Sequence, residues 1–362
     1  MTATVAIIGG GYGGITAAKA LDDITDVVLV EPRDTFVHNV AALRALVDPA
    51  WTDRMFLPYD RLLRHGRIVR DRAVRVEPKA VTLGSGERIA VDYVVLATGS
   101  SYPFPAKVDV FDSTTAKDRL RATHEALAGA NDVLLLGAGP AGLELAGEVK
   151  HVWPDKSVSV VDPAERLIDS IAFPGELRAE LHRQLDDLAV ELLLGTSLAE
   201  PPPSEAGDAK TFTTTTRSGR SITADIWFRC YGVVPTTDYL SEELTGSRQT
   251  NGQLDVTAEL RLPGHEHIFA IGDVTAVPEA KMAKAAELHA GVVTTNIRTL
   301  LQSDGELTTY EPAPPGISLP LGATGGVSYA PSVGVLGRER TAQLKGENLR
   351  YEIYTELLNL DT

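Results

Sequence analysis

Residues 5–14 read VAIIGGGYGG, and this stretch decides the fold. Val5–Ile8 is a short apolar run, which is typical of a buried strand. The pattern GxGxxG follows it at once, formed by Gly9, Gly11 and Gly14. In such a pattern the first glycine permits the tight turn from strand to helix, the second lets the backbone approach a phosphate, and the third lets the helix pack against the strand. The stretch therefore predicts the opening of a dinucleotide-binding βαβ unit.

The residues downstream of this turn complete the unit. Residues 15–21 predict a helix, and residues 27–30 predict a second buried strand that ends at Glu31. A carboxylate about 20 positions after the first glycine can accept hydrogen bonds from ribose hydroxyls, while the helix N-terminus offers free N–H groups to a pyrophosphate. Tyr12 and Gly13 lie in the same turn, so we expect both to contact the bound dinucleotide.

A second copy of the pattern begins near the middle of the chain. An apolar strand again runs into a glycine turn, formed here by Gly137, Gly139 and Gly142. Asp162 ends the following strand, at the position that Glu31 occupies in the first copy. One GxGxxG alone is a weak signal, whereas two in the order strand, turn, helix, strand, acid predict two dinucleotide sites. One would hold a resident flavin and the other an exchanging nicotinamide nucleotide.

The second acidic residue also bears on which nicotinamide nucleotide binds. A carboxylate at Asp162 would accept a hydrogen bond from the 2′-hydroxyl of NADH and repel the 2′-phosphate of NADPH. Arg166 follows four residues later and has the charge to pair with that phosphate. On balance we expect NADH to be preferred over NADPH.

The composition excludes several classes of protein. Of 362 residues, 43% are hydrophobic and 23% are charged, so the chain can bury the cores of about two to three domains. With 34 Lys and Arg against 49 Asp and Glu, the net charge is −15, which argues against a nucleic-acid binder. No window reaches the roughly 18 apolar residues of a membrane-spanning helix, and no signal peptide is recognisable. We therefore expect a cytoplasmic protein, soluble or loosely peripheral to a membrane.

The sequence contains one cysteine, Cys230. A single cysteine excludes an internal disulfide, a CxxC redox pair and cysteine-based zinc or iron–sulfur sites. Its neighbours Trp227 and Tyr231 indicate a buried strand, in which a free cysteine packs as a small hydrophobe. His265 and His267 stand in a PGHEHIF turn without further ligands at metal-binding spacing, so no metal site is expected.

Taken in order, the motifs of residues 1–300 resemble those of flavoproteins with two dinucleotide-binding domains, the pyridine nucleotide-disulfide oxidoreductase-like superfamily. The sequences ATG at residues 97–99 and IGD at residues 271–273 occupy the places that they have in that superfamily. The resemblance implies non-covalent FAD on the first unit, NAD(P)H on the second, and the carboxylate of Asp273 on the flavin ribityl chain. It further implies flavin contacts from Thr98, Gly99 and Gly272.

Two stretches narrow the resemblance. Residues 38–44 (HNVAALR) and residues 281–290 (KMAKAAELHA) are similar to the ferroptosis-suppressor and apoptosis-inducing-factor-like mitochondrion-associated group. That group, like the type II NADH dehydrogenases, passes electrons from NAD(P)H through FAD to quinones. The resemblance implies that His38 and Arg44 lie near the flavin, with packing of its own segment as the alternative role of Arg44.

The same resemblance implies three catalytic side chains. Glu144, on the helix after the second glycine turn, would reach the junction of nicotinamide and flavin, often beside a lysine; the alternative is an ordinary first-turn glutamate favoured by the helix dipole. Lys281 is the expected lysine, because a cation there stabilises the negative charge of the reduced flavin, and a solvated surface lysine is the alternative. His289 lies about two turns beyond Lys281 on the same helix face, and it either lines the flavin or quinone side or is structural.

We therefore predict an α/β fold with two doubly wound, Rossmann-like domains for FAD and NAD(P)H and a small α+β C-terminal domain. The boundaries follow the motifs and the proline-rich junctions. The FAD-binding domain is expected at residues 1–110 and 241–300, the NAD(P)H-binding domain at 111–240, and the C-terminal domain at 301–362.

The predicted function is FAD-dependent NAD(P)H:quinone oxidoreduction, in which hydride passes from NAD(P)H to flavin N5 and then to a quinone-like partner. A ferredoxin or rubredoxin reductase is one alternative, and the acidic charge of the chain disfavours it because ferredoxins are acidic as well. A non-catalytic flavoprotein that senses NADH is the other. The cysteine count excludes a disulfide reductase, and the sequence leaves a homodimer open.

Overall fold

Two parallel β-sheets organise the part of the chain that the structure, a computed structural model, describes: residues 2–303 and 305–360. The strands are β1 (Thr4–Ile8), β2 (Asp26–Val30), β3 (Thr35–Val37), β4 (Phe56–Pro58), β5 (Arg67–Val69), β6 (Ala73–Glu77), β7 (Ala80–Leu83), β8 (Arg88–Ala90), β9 (Tyr93–Leu96), β10 (Ser100–Ser101), β11 (Asp132–Leu136), β12 (Ser157–Asp162), β13 (Val190–Leu194), β14 (Phe212–Thr215), β15 (Ser221–Ala224), β16 (Ile226–Arg229), β17 (Val234–Pro235), β18 (Ile268–Ala270), β19 (Ile317–Pro320), β20 (Gly326–Ala330) and β21 (Gly334–Leu336). The α-helices are α1 (Tyr12–Leu21), α2 (Ala42–Val47), α3 (Pro49–Arg54), α4 (Ser113–Gly129), α5 (Pro140–Val152), α6 (Gly175–Asp187), α7 (Ala283–Gln302), α8 (Arg338–Thr341) and α9 (Tyr351–Leu357).

The first parallel sheet carries the first glycine turn. Its strand order is β18–β9–β1–β2–β5, and Ile8 at the end of β1 is paired with both Val30 and Leu96. One face packs against α1 and α7, and the other packs against the antiparallel sheet β6–β7–β8. Burial of both faces explains why these strands are continuous apolar runs. Because β18 comes from far along the chain, the strands of this sheet belong to two separate stretches of the sequence.

The second parallel sheet repeats this arrangement. Its strand order is β13–β12–β11–β16, so β11 lies between β12 and β16 as β1 lies between β2 and β9. In open parallel sheets, ligands bind beyond the carboxyl ends of the strands, where the strand order changes direction. Each glycine turn follows a central strand at such a point. The predicted pair of doubly wound, Rossmann-like units is confirmed.

The helices that follow the glycine turns begin within those turns, which for the first is earlier than the predicted start at residue 15. α1 begins at Tyr12 and α5 begins at Pro140, both inside the turns. Glycine and proline are tolerated there because the N–H groups of a first helical turn have no partner within the helix. α7 begins at Ala283, so Lys281 precedes the helix that it is expected to share with His289, because the backbone of Met282 is extended with φ −140° and ψ 156°.

Two contacts join the halves of the molecule. β10 and β17 form a short antiparallel pair in which Ser100 lies opposite Pro235 and Ser101 lies opposite Val234. The helix α2, which begins with the last three residues of the HNVAALR stretch, packs its leucines at positions 43 and 46 into the hydrophobic cluster of the second sheet. That stretch therefore lies at the boundary between the two dinucleotide-binding units.

The C-terminal segment is shared between both cores. Leu319, Leu321 and Val327, from the antiparallel sheet β19–β20–β21 and the turn within it, belong to the hydrophobic cluster of the second parallel sheet. Tyr354 and Leu358, on and just after α9, belong to the cluster of the first. Among the hydrophobic clusters of the described residues, none is confined to this segment, so the expected small α+β domain has its strands and helices but no separate core. A segment of about 60 residues buries too small a fraction of its surface to be more than marginally stable on its own. The boundaries at residues 110, 240 and 300 stay predictions.

Candidate functional site

A cavity of about 1380 Å³ opens at the carboxyl ends of the first parallel sheet. It exceeds the roughly 300–1,000 Å³ of ordinary small-molecule pockets, so it has room for a dinucleotide and part of a second molecule. The C-terminal segment contributes to its wall through Ser318, Lys345 and Tyr354, among others. The predicted site residues that line it are Gly9, Gly11, Tyr12, Gly13, Glu31, Thr98, Gly99, Glu144, Gly272, Asp273 and Lys281.

The three glycines of the first turn differ in what a side chain at each position would contact. Gly9 has φ +105°, and a Cβ there would stand 2.6 Å from the carbonyl oxygen of Ala97. A Cβ on Gly14 would stand 1.9 Å from the oxygen of Gly9, so Gly14 serves helix packing and faces the strand rather than the cavity. A Cβ on Gly11 would meet no atom within 4 Å, which leaves the backbone there open to the cavity. This open backbone at a helix N-terminus fits the pyrophosphate of a dinucleotide.

Glu31 holds the turn in shape. One carboxylate oxygen, Oε2, accepts the N–H of Gly10 at 2.6 Å, and Oε1 accepts the N–H of Arg33 at 2.9 Å. The hydroxyl of Tyr59 donates to the oxygen of Gly10 at 2.8 Å from the other side. The carboxylate also lines the cavity, so it can meet a ribose hydroxyl while it fixes the backbone of the turn.

The second glycine turn repeats this backbone geometry. Gly137 has φ +118°, and a Cβ on Gly142 would stand 1.9 Å from the Gly137 oxygen. Gly139, in the place of Gly11, has no atom within 4 Å of an added Cβ. The buried Cys230 takes the place that Ala97 has in the first unit, since its carbonyl oxygen would stand 2.8 Å from a Cβ on Gly137. Burial raises the pKa of its thiol to about 12. It packs as the sequence predicts.

Asp162 acts on the second turn as Glu31 acts on the first. Its Oδ2 accepts the N–H of Ala138 at 2.6 Å, and its Oδ1 accepts the N–H of Ala164 at 2.7 Å. Arg166, which could pair with a 2′-phosphate, instead pairs with Asp169 at 2.6 Å. The glycines of this turn and Asp162 lie outside the wall of the large cavity, so the second predicted nucleotide site is separate from the first along most of its length.

The IGD turn ends in a charged hydrogen-bonded group. Oδ2 of Asp273 accepts from the hydroxyl of Ser100 at 2.6 Å and from Nζ of Lys107 at 3.1 Å, and Lys107 also donates to the oxygen of Ser100 at 2.9 Å. Burial acts to raise the pKa of Asp273, but the charge of Lys107 and the Ser100 hydrogen bond outweigh it, and the pKa lies below its usual value. Sequence reasoning missed both partners; Ser100 directly follows the ATG motif, whereas Lys107 has no local signal.

Glu144 pairs with a lysine that sequence reasoning missed. Nζ of Lys345 lies 2.7 Å from Oε1 of Glu144 and 3.3 Å from the oxygen of Ser318. Both charged side chains are largely buried, with 16% and 14% of their side-chain surface exposed, and both line the cavity. The pair joins the second dinucleotide-binding unit to the C-terminal segment across 201 positions of sequence.

Lys281, the lysine predicted for this role, has other partners. Its Nζ donates to the oxygen of Val277 at 2.7 Å, and the residue precedes α7 rather than beginning it. Burial lowers its pKa, while Glu279 and Asp273 act in the opposite direction. It lines the cavity near Asp273, so it stays a candidate for the flavin side but is not the partner of Glu144.

His289 is buried behind the IGD turn instead of facing the cavity. Its Nδ1 accepts the N–H of Gly272 at 3.0 Å, so the ring proton is on Nε2, which lies 2.7 Å from Oε1 of Glu279. Tyr310 donates to the second oxygen of that carboxylate at 2.7 Å. Burial lowers the pKa of His289, in keeping with a neutral ring. The geometry supports the structural alternative, because both ring nitrogens face groups in the core; a catalytic role for His289 stays a prediction.

His38 and Arg44 are also buried and lie outside the cavity wall. Oε2 of Glu148 lies 2.5 Å from Nε of Arg44, in a pair that spans the two dinucleotide-binding units. His38 Nε2 donates to the oxygen of Leu349 at 3.0 Å. Both side chains therefore contact neighbouring segments, which is the packing alternative for Arg44, and their expected flavin contacts stay predictions.

Two properties of the described residues concern metals and membranes. Across residues 2–303 and 305–360, no three His, Cys, Asp or Glu side chains come together as metal ligands. Within the same residues, no helix has the length and apolar character needed to span a bilayer.

Comparison with known proteins agrees with this architecture. The model of the family described as pyridine nucleotide-disulphide oxidoreductase matches residues 3–290. The chain is 32% identical to ferroptosis suppressor protein 1 of Taeniopygia guttata, over 89% of this chain and 87% of that protein. It is 27% identical to apoptosis-inducing factor homolog B of Dictyostelium discoideum, over 98% of this chain and 96% of that protein.

Solved structures share the fold at lower identity. The sulfide:quinone oxidoreductase of Aquifex aeolicus superposes with a TM-score of 0.78 at 17% identity, covering 99% of this chain and 92% of that one. NDH2 of Plasmodium falciparum in complex with NADH superposes with a TM-score of 0.74 at 14% identity, covering 99% and 95%. Both alignments include the C-terminal segment.

Proposed function

The chain belongs to the pyridine nucleotide-disulphide oxidoreductase family, and from that premise we propose that it is an FAD-dependent enzyme that oxidises NAD(P)H and reduces a quinone-type two-electron acceptor. The observation that carries the proposal is the Glu144–Lys345 ion pair, which lies on the wall of the same cavity as the first glycine turn. It sets a carboxylate and a cation where the two nucleotide-binding units meet. Hydride transfer requires two nucleotides to meet, and we propose that they meet at this junction of the two units.

The residues around the cavity fit FAD. The open backbone at Gly11 suits the pyrophosphate, the carboxylate of Glu31 suits the ribose hydroxyls, and the carboxylate of Asp273 suits the ribityl hydroxyls. When bound, FAD supplies the two-electron chemistry that amino-acid side chains lack. The chain supplies binding, orientation and charge.

Lysines bring positive charge to the cavity. Its wall includes Lys107, Lys281, Lys284 and Lys345, and a fixed cation stabilises negative charge that develops in a site from which water is largely excluded. In our proposal Glu144 holds Nζ of Lys345 in place and orients the nicotinamide for transfer. The pair is preorganised, because its members are already 2.7 Å apart.

The mouth of the cavity suits a lipophilic acceptor. Met282, Leu344 and Ile353 line the cavity and are 37%, 46% and 42% exposed. Exposed apolar side chains grouped at a cavity edge are typical of a binding site for an apolar molecule. The structural neighbour from Aquifex aeolicus is a sulfide:quinone oxidoreductase, which supports this class of acceptor. With one cysteine, buried, the chain offers no disulfide chemistry as a route for the electrons.

For the nucleotide we propose NADH rather than NADPH. Asp162 presents a carboxylate at the end of β12, and Arg166 is neutralised by Asp169 on the exposed surface. A 2′-phosphate would then meet the negative charge of Asp162, and it would have to compete with Asp169 for Arg166. A homodimer, a cytoplasmic location and loose association with a membrane stay predictions.

Anaerobic stopped-flow spectroscopy of the purified holoenzyme tests the proposal. We expect NADH to bleach the flavin absorption faster than NADPH at equal concentration, and we expect a soluble short-chain ubiquinone to restore it quickly. Reoxidation by an added iron–sulfur protein but not by the quinone would instead establish a ferredoxin-reductase type of enzyme. A reduced complex that persists with both acceptors would establish a redox sensor, and a folded protein without flavin absorption would refute FAD binding.

A further inference from the structure

The C-terminal residues 345–350, here called the strap, carry Lys345 and then run along the HNVAALR stretch. Nη2 of Arg44 donates to the oxygen of Gly346 at 3.0 Å, and Nε2 of His38 donates to the oxygen of Leu349 at 3.0 Å. Arg44 is 5% exposed and His38 is fully buried. Two buried donors six positions apart in sequence thus hold two carbonyls of the strap, one next to Lys345 and one further along.

Arg44 also contacts α5, the helix that carries Glu144. Nε of Arg44 lies 2.5 Å from Oε2 of Glu148, which follows Glu144 by one helical turn on α5. Successive turns of α5 therefore hold successive residues of the strap. Glu144 binds the side chain of Lys345 directly, and Glu148 binds the main chain of Gly346 by way of Arg44.

The strap has a backbone that needs such support. Leu349 and Arg350 both have left-handed backbone angles, with φ +54° and +62°, which side chains other than glycine rarely adopt. Lys345 lies in a π-helical turn, Ala342–Gly346, a wide and uncommon geometry that often occurs at functional sites. Strained backbone of this kind persists only where the surrounding structure imposes it.

We propose that Arg44 is a positioning residue for hydride transfer, and that it acts by fixing the strap so that Nζ of Lys345 stays beside Glu144. Arg44 lies outside the cavity wall, so it has no route to the nucleotides other than through its neighbours. The inference rests on the proposed function, because it gives a purpose to the Glu144–Lys345 pair. It also explains why the HNVAALR stretch, assigned to the flavin by resemblance, points its two long polar side chains at the C-terminal segment.

The experiment compares three proteins with the wild type: Arg44→Met/Glu148→Met, Lys345→Met, and the triple variant that combines them. Arg44 and Glu148 are replaced together because removal of one partner would leave the other charge buried and unpaired, whereas an apolar pair of similar size is tolerated. Flavin absorption and thermal unfolding report FAD content and folding. Hydrogen exchange of residues 342–350, followed by mass spectrometry in the FAD-free protein, reports the strap. Single-turnover flavin reduction by NADH reports hydride transfer.

We expect Arg44→Met/Glu148→Met to retain FAD, to exchange faster in the strap, and to reduce flavin up to roughly 100-fold more slowly, as a misplacement of about 1 Å can cause. Adding Lys345→Met to it should cause little further loss, because residues that act as one unit have non-additive effects. As a matched control, Arg178→Met removes an arginine that binds the carbonyls of Leu167, Ile171 and Phe173, away from the strap. The fold-loss of flavin-reduction rate in Arg178→Met should multiply with the fold-loss in Lys345→Met, because independent sites have additive free-energy effects.

Three results would overturn the inference: losses of Arg44→Met/Glu148→Met and Lys345→Met that multiply, FAD loss that accounts for the slower reduction, or unchanged exchange in the strap. A Lys345→Met protein that reduces flavin at the wild-type rate would instead refute the role given to the ion pair in the proposed function. The strap exchange, measured without FAD, would still report whether Arg44 holds the strap.

Discussion

Glu31 and Asp162 make the same hydrogen bond in two different parts of the molecule. Each carboxylate lies at the end of the second strand of its unit, and each accepts the N–H of the residue after the first glycine, Gly10 or Ala138, at 2.6 Å. The acidic residue of this motif therefore shapes the glycine turn before any ribose arrives. The two positions consequently offer a matched pair of substitutions.

Glu31→Gln and Asp162→Asn should separate the two nucleotides. Each removes one charged hydrogen-bond acceptor worth about 1.5–3 kcal/mol, so we expect a loss of roughly 10- to 100-fold in affinity for one nucleotide only. Glu31→Gln should lower FAD retention during gel filtration. Asp162→Asn should leave FAD content unchanged and raise the KM for NADH; equal effects of both substitutions on FAD would contradict two separate sites.

Alanine at Gly14 and alanine at Gly11 should have opposite consequences. The new Cβ at Gly14 would stand 1.9 Å from a backbone oxygen, so Gly14→Ala should destabilise the FAD-free protein by about 1–3 kcal/mol or more. At Gly11 the Cβ has open space, so Gly11→Ala should unfold in urea like the wild type but bind FAD more weakly. A Gly11→Ala protein with normal FAD affinity would show that the pyrophosphate lies elsewhere.

Lys345→Met should slow flavin reduction by NADH by roughly 100-fold or more, the usual loss when one preorganised charge-stabilising group is removed. Lys284→Met is the control, because Lys284 is exposed and its ammonium lies 4.0 Å from Glu287 rather than beside Glu144. Single-turnover spectroscopy at saturating NADH measures both. If Lys284→Met were as slow as Lys345→Met, general loss of positive charge would explain the effect better than the ion pair.

Stability should depend on pH through His38. Burial lowers the pKa of His38 to about 4, against its ordinary value of 6.5, although the bond to Leu349 opposes the shift. Between these two values the unfolded chain binds the proton and the folded chain does not, so stability is full above about 6.5 and declines as the pH falls towards 4. The decline should total on the order of 3 kcal/mol.

Urea unfolding at pH 7 and pH 5 measures this effect in the wild type and in His38→Gln. Glutamine can donate to the same carbonyl but does not titrate, so its stability should fall less between the two pH values. An equal fall in both proteins would assign the pH dependence to other groups, such as His289.

Much of the fold could be predicted because its signals are local. A short apolar strand, a glycine turn and an acidic residue about 20 positions on are enough to define each unit, since chain geometry brings the acid back to the turn. Asp273 and its IGD motif are local in the same sense. The pattern could not give the exact start of α1, because Tyr12 is helical despite the glycines around it.

The lysine that pairs with Glu144 could not be predicted for a physical reason. The partner of Glu144 lies 201 positions away, in a π-helical turn whose place depends on how the C-terminal segment packs against both units. The sequence favours Lys281 as the partner of Glu144 because Lys281 lies close to a recognisable motif. In the structure its ammonium instead donates to the oxygen of Val277. Likewise, nothing near Arg44 in sequence indicates Glu148 or Gly346 as its partners.

The sharing of the C-terminal segment between both hydrophobic cores constrains how the molecule can move. Its sheet is packed into the cluster around Leu143, and α9 is packed into the cluster around Ile15, so rotation of one unit against the other would draw apolar side chains out of a core. The C-terminal segment therefore ties the two glycine turns together, and we expect the distance between them to change little in solution.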